Sequence, residues 1–174
     1  PGMSNYKPTR RERGEQAAQQ ARNAPANPVS SAADSNATPE ERRHFRLGWW
    51  SLLVFVCLGI VLEGMLAFKA PWYVNVGDNE THRLMLRLGH AHGTLLSVLN
   101  IVFAGSLARL SLPTGARVLA SRCLAAATML VPGGFLLGGL VTHGADPGLG
   151  IILLPAGAVL LMFGIFQVAR HTGK

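Results

Sequence analysis

Four long apolar runs, separated by short polar links, set the pattern of this chain. They cover about 48–68, 84–107, 118–141 and 149–168. The first is 21 residues long. At about 1.5 Å rise per residue it reaches roughly 30 Å, the thickness of a bilayer's hydrocarbon core. Trp49 and Trp50 open that run and Trp72 and Tyr73 follow it, so aromatic side chains mark both interfaces. The second run is the most interrupted, by Arg87, His90, His92 and Asn100. The pattern predicts an all-α fold, an integral membrane four-helix bundle. Pro113 and Gly115 make one turn, and Gly144, Pro147, Gly148 and Gly150 another. Pro132, followed by Gly133 and Gly134, and Pro155 are expected to kink or loosen the third and fourth helices.

Ahead of the first run the pattern changes. Residues 1–37 are rich in Ala, Gln, Asn, Pro and Arg and lack apolar periodicity, so a disordered cytoplasmic tail is predicted. The stretch holds no apolar core of the kind a secretory signal needs. Order is expected from Thr38, an N-cap, with Pro39 at the first helical position and Glu41 where a capping box places it. The membrane domain is thereby set at 38–172.

Charge then orients the bundle. The sequence has 16 Lys and Arg against 9 Asp and Glu, a formal charge of +7. The tail holds Lys7 and the arginines up to Arg46; Arg109, Arg117 and Arg122 flank the middle link, and Arg170 and Lys174 close the chain. The first link mixes Lys69 and Arg83 with Asp78 and Glu80, and the last has only Asp146. The positive-inside rule places both termini in the cytoplasm of a bacterial inner-membrane, multi-pass protein. With no soluble basic fold to carry it, the positive charge points to the lipid bilayer as partner and not to nucleic acid.

Several residues read as structural. Cys57 and Cys123 lie inside spans without C-x-x-C spacing and are expected to be small buried side chains. His44 and His171 at the cytoplasmic interface, and His82 in the outer link, read as solvated, and Gln167 calls for no special role. Gly134 and Gly138 form a G-x-x-x-G pair, which allows close approach of helices within the chain or in a homodimer.

The candidate chemistry gathers in the outer half of the bilayer. Glu63 is near the end of the first span, Arg87, His90 and His92 are near the start of the second, and His143 and Asp146 follow the third. Counting along antiparallel helices brings Glu63, Arg87 and His90 within about one turn in depth. Ionisable groups at such depth are costly and usually face a partner or cavity. The Glu63 carboxylate is therefore expected to reach Arg87, His90 or His92 directly or through one water. Residues two apart on a helix diverge by about 200°, so His90 and His92 cannot chelate one ion. His90 shares a face with Arg83, Arg87, Thr94, Ser97 and, less closely, Asn100, a stripe expected to face the interior; His92 would face Glu63 or His143. Gly89 and Gly93 leave room for a helix or a flat ligand.

Three uses of this cluster are open: a network that fixes helix packing, ligation of haem b or a metal ion by His90, His92 and His143, or quinone binding and proton relay through Glu63, Arg87, His90, His92 and Asn100. No P-loop, H-E-x-x-H, G-x-S-x-G or dinucleotide fingerprint occurs, which argues against a self-contained enzyme. The expectation is an accessory or ligand-binding subunit associated with other membrane subunits. The alternative is a redox component.

Overall fold

A computed structural model of the chain describes residues 9–23, 37–74, 80–142 and 146–172. The helices are α1 (Arg10–Asn23), α2 (Pro39–Ala67), α3 (Pro71–Val74), α4 (Glu80–Ser106), α5 (Thr114–Leu140) and α6 (Leu153–Ala169), the last preceded by a 3₁₀ turn at Leu149–Ile152. They fall into two compact units that divide at residue 37.

In the first unit, α1 stands where disorder was expected. Its start is a reciprocal cap: the Thr9 N–H donates to Glu12 Oε2 at 2.7 Å, and the Glu12 N–H to Thr9 Oγ1 at 3.4 Å. Arg11 and Glu15 pair one turn apart, and Ala17 and Ala18 are strong helix formers. The helix has no apolar stripe, so periodicity gave no signal of it. The rest of the tail, 1–8 and 24–36, lies outside the described residues.

The second unit holds four helices long and apolar enough to cross a membrane: Pro39–Ala67, Glu80–Ser106, Thr114–Leu140 and Leu149–Ala169. Their bounds match the four apolar runs with short polar extensions. α2 starts as its capping residues require, with Thr38 Oγ1 accepting from the Glu41 N–H at 3.3 Å. It ends in a left-handed cap in which the Ala70 N–H reaches back to the Met65 carbonyl at 2.9 Å and Lys69 takes φ 49°.

Neighbours in sequence are neighbours in space. α2 packs on α4, α4 on α5 and α5 on α6, with a lighter contact between α2 and α5. In lipid there is no hydrophobic drive between helices, so close approach at small residues takes its place. A Cβ at Gly48 would stand 2.9 Å from the Ser97 carbonyl oxygen, and one at Gly89 2.7 Å from Leu136 Cδ2. Gly134 and Gly138 are buried against Leu154 and Ile151. The G-x-x-x-G pair is therefore used within the chain.

Both prolines are accommodated in helices. Pro155 is in the first turn of α6, where its missing N–H has no partner to lose. Pro132 lies inside α5, and the helix continues past it to Leu140.

Candidate functional site

The site is built on the seam between α2 and α4. The buried stripe of α2 is His44, Gly48, Ser51, Phe55, Gly59 and Leu62. Residues from His82 through Leu86, Gly89, Gly93 and Ser97 to Asn100 form the buried stripe of α4, with Gly93, Ser97 and Asn100 meeting α2. Both repeat every three or four positions, as a helix face must. Glu63 and Arg87 each stand one position past a stripe residue, Leu62 and Leu86. They consequently come out at the margin of the seam.

There they line one open hollow of about 540 Å³ together with His90, walled by Leu62, Leu84 and Leu88. Glu63 and Arg87 are exposed and His90 is half-buried. The three groups share the hollow without touching: among the described residues the ion pairs are Arg11–Glu15 and Arg117–Glu40, and Glu63 makes no hydrogen bond to Arg87, His90 or His92. The direct contact expected for Glu63 is thus not formed, because both charged side chains leave from the flank of their helices and not from the buried stripe.

The two histidines diverge as their spacing requires. His90 Nδ1 lies 2.7 Å from the Phe55 carbonyl oxygen, which can only accept, so that nitrogen carries the proton and Nε2 keeps its lone pair in the neutral ring. The ring sits where Gly59 has no side chain; a Cβ there would be 2.4 Å from His90 Cε1. His92 Nδ1 donates to its own helix at the Leu88 carbonyl, 2.9 Å away, and its ring lies 4.7 Å from that of Phe135 on α5. Its neighbour is Phe135 in place of Glu63. Both rings present Nε2 for ligation, the tautomer metal ligands use, yet they face different helices, so no single ion takes both. His143 falls outside the described residues, and Asp146 is exposed.

Tyr73, on the short α3, is a member of this region that the sequence pattern assigned only to the interface. It is 4% exposed and packs with Leu62 and Leu86 beneath the hollow. Burial pushes its hydroxyl above the ordinary tyrosine range, opposed by the positive charges of Arg87 and Arg83 and reinforced by Glu63.

The other end of the seam holds a closed polar network. His44 is 0% exposed, not solvated, because it continues the α2 stripe one turn before Gly48. Its Nδ1 lies 2.5 Å from Asn100 Oδ1 and its Nε2 2.8 Å from Ser121 Oγ. Proton directions follow from the partners. The Thr128 hydroxyl donates to the Leu124 carbonyl, so it accepts from Asn100 Nδ2 at 2.7 Å, which turns Asn100 Oδ1 toward His44 and puts the proton on Nδ1. Asn100 Nδ2 also donates to the Leu96 carbonyl at 2.7 Å. Arg43 donates to Ser121, whose own proton goes to His44 Nε2. One turn away the Ser51 and Ser97 hydroxyls meet at 2.7 Å. Phe103 closes the pocket edge-on, 4.8 Å from the His44 ring.

Asn100 is accordingly a packing residue of this network and does not line the hollow: it lies thirteen residues from Arg87 along α4, about 20 Å. Ser121 and Thr128 were missed by the sequence analysis, although they are seven apart and so share one face of α5.

Three further expectations change. His82 is 4% exposed, with Nδ1 2.5 Å from the Gly139 carbonyl oxygen and its ring edge-on to Trp72 at 4.5 Å. It belongs to the α4 stripe, and the bare backbone at Gly139 lets it in. Gln167 is buried on the α6 face that meets α5, and Cys57 points outward to the lipid side while Cys123 is buried.

Fold and site together define a multi-pass membrane protein of four spanning helices with a clamped polar core at one end and an open, charged hollow at the other. Comparison with family models, curated proteins and solved structures found no match to this chain.

Proposed function

We propose that the protein binds the headgroup of a membrane-soluble quinone in the hollow between α2 and α4, as an accessory subunit of a bacterial inner-membrane redox assembly. The observation that carries this is the hollow itself: Glu63, Arg87 and His90 open into one space beside three leucines, and none of the three is paired with another. An apolar wall with a few convergent polar groups is the make-up of a small-molecule site. The leucines suit the ring of a quinone, and its tail would lie in the lipid. The Arg87 guanidinium donates to a quinone oxygen. The Glu63 carboxylate or His90 Nε2 accepts from a quinol hydroxyl. Reduction of a quinone takes two protons and two electrons; this chain supplies groups that exchange the protons, and the electrons come from a partner subunit. Lys and Arg in the tail, the 109–117 link and the C-terminus support cytoplasmic termini and, with them, a hollow near the outer face.

The test is equilibrium binding of decylubiquinone to the protein in lipid nanodiscs. Saturable binding is expected. Arg87→Leu should weaken it at least about tenfold, the effect of losing one charge-assisted hydrogen bond. The melting temperature should hold, since Arg87 makes no ion pair among the described residues. Uptake that does not saturate, or equal affinity in the variant, would rule the reading out.

A further inference from the structure

The N-terminal end of α2 carries a second hollow, of about 550 Å³, lined by Arg42, Arg43, Arg46, Leu47 and Pro39. Positions 42 and 46 stack one turn apart, as do 43 and 47, so the residues form two adjacent columns on one side of the helix. None of the three arginines has a carboxylate partner among the described residues. The acidic side chain best placed to compensate them, Glu40, is turned to Arg117 at 3.9 Å. Three guanidinium groups in the first two turns of a helix also oppose its positive end. Helix stability therefore does not account for them, and an anion in the hollow would relieve both repulsions at once.

Two features say which anion. Arg43 is held in place: it donates to Ser121, which is fully buried and bonded to His44. A guanidinium fixed on one edge keeps its other N–H groups for a bidentate acceptor such as phosphate, with less ordering still to be lost on binding. The floor is apolar at Leu47, and Trp49 and Trp50, 60% and 66% exposed, begin the next turn toward the membrane. A ligand seated here has its anionic head on the arginines and its body against an interfacial aromatic belt.

The geometry points to a binding site for an anionic glycerophospholipid, with the phosphodiester on Arg42, Arg43 and Arg46, and with Ser121 and His44 as positioning residues behind Arg43. This site is independent of the quinone hollow at the other end of the seam.

The experiment is native mass spectrometry of the full chain in neutral detergent, titrated with phosphatidylglycerol, phosphatidylcholine or sodium phosphate. One tight phosphatidylglycerol per chain is expected, phosphatidylcholine should bind at least about tenfold more weakly, and millimolar phosphate should not displace the lipid. Replacing two surface guanidiniums, Arg42→Gln with Arg46→Gln, should reduce phosphatidylglycerol affinity at least about tenfold. The Arg10→Gln, Arg11→Gln, Arg13→Gln triple variant should leave it unchanged. Ser121→Ala should weaken binding about threefold, and Arg43→Gln more than that. Equal affinity for the two lipids, or retained affinity in the double variant, would overturn the proposal. An equal loss in the triple variant would do so too, by showing diffuse charge attraction, as would displacement by phosphate, by showing a site for soluble anions.

Discussion

Both ring nitrogens of His44 are engaged by side chains, whereas His90 uses only Nδ1, on a backbone carbonyl, and leaves Nε2 free. That difference separates a histidine that locks three helices together from one that can meet a ligand. The position of the second depends on a single missing side chain. Gly59→Ala would drive a methyl into the His90 ring and force it off the Phe55 carbonyl. The expected result is a loss of about 1–3 kcal/mol in stability together with loss of quinone binding. Gly64→Ala, where nothing lies within 4 Å of a new Cβ, should do neither. Thermal unfolding in detergent beside the binding assay checks both. His44 and His82 escaped the sequence analysis for a common reason. His44 was expected at the cytoplasmic interface and His82 in the outer link, so each read as solvated, although each falls in phase with the small and apolar residues of its own helix.

At the level of elements, caps and apolar runs were legible because they depend on local chemistry. Thr38, Pro39 and Glu41 announced the start of α2, and the four spans needed only length and hydropathy. What was not legible depends on contacts between elements. Glu63, Arg87 and His90 could be brought to one depth by counting, but whether they touch is set by which flank of each helix they leave from. Ser121 and Thr128 gained meaning only once α5 was laid against α2 and α4. α1 was missed because its stability comes from a cap and an exposed ion pair, not from an apolar face. The end of α2 gives a prediction of its own. Lys69 occupies a left-handed conformation that most residues with a Cβ adopt at a cost. Lys69→Gly should raise stability by about 1 kcal/mol and Lys69→Val should lower it, read by the same thermal unfolding.

Across the whole molecule, chemistry and surface are unevenly shared. α5 is the most enclosed span and α6 the most open to lipid, its outer face showing Val159, Met162 and Phe166. Apolar exposure on such a perimeter is what a bilayer solvates, so a lipophilic ligand has many places to rest, and the hollow at Glu63, Arg87 and His90 is distinguished by offering it both an acidic and a basic group. The same asymmetry sets the clamped network and the arginine hollow at one end of the α2–α4 seam and the quinone hollow toward the other. A photoreactive quinone, activated in nanodiscs and mapped by mass spectrometry, asks most directly whether the hollow of Glu63, Arg87 and His90 is the binding place. Adducts should concentrate on residues 59–63 and 84–91 and fall away in Arg87→Leu. Adducts spread around the perimeter, or gathered on the outer face of α6, would contradict it.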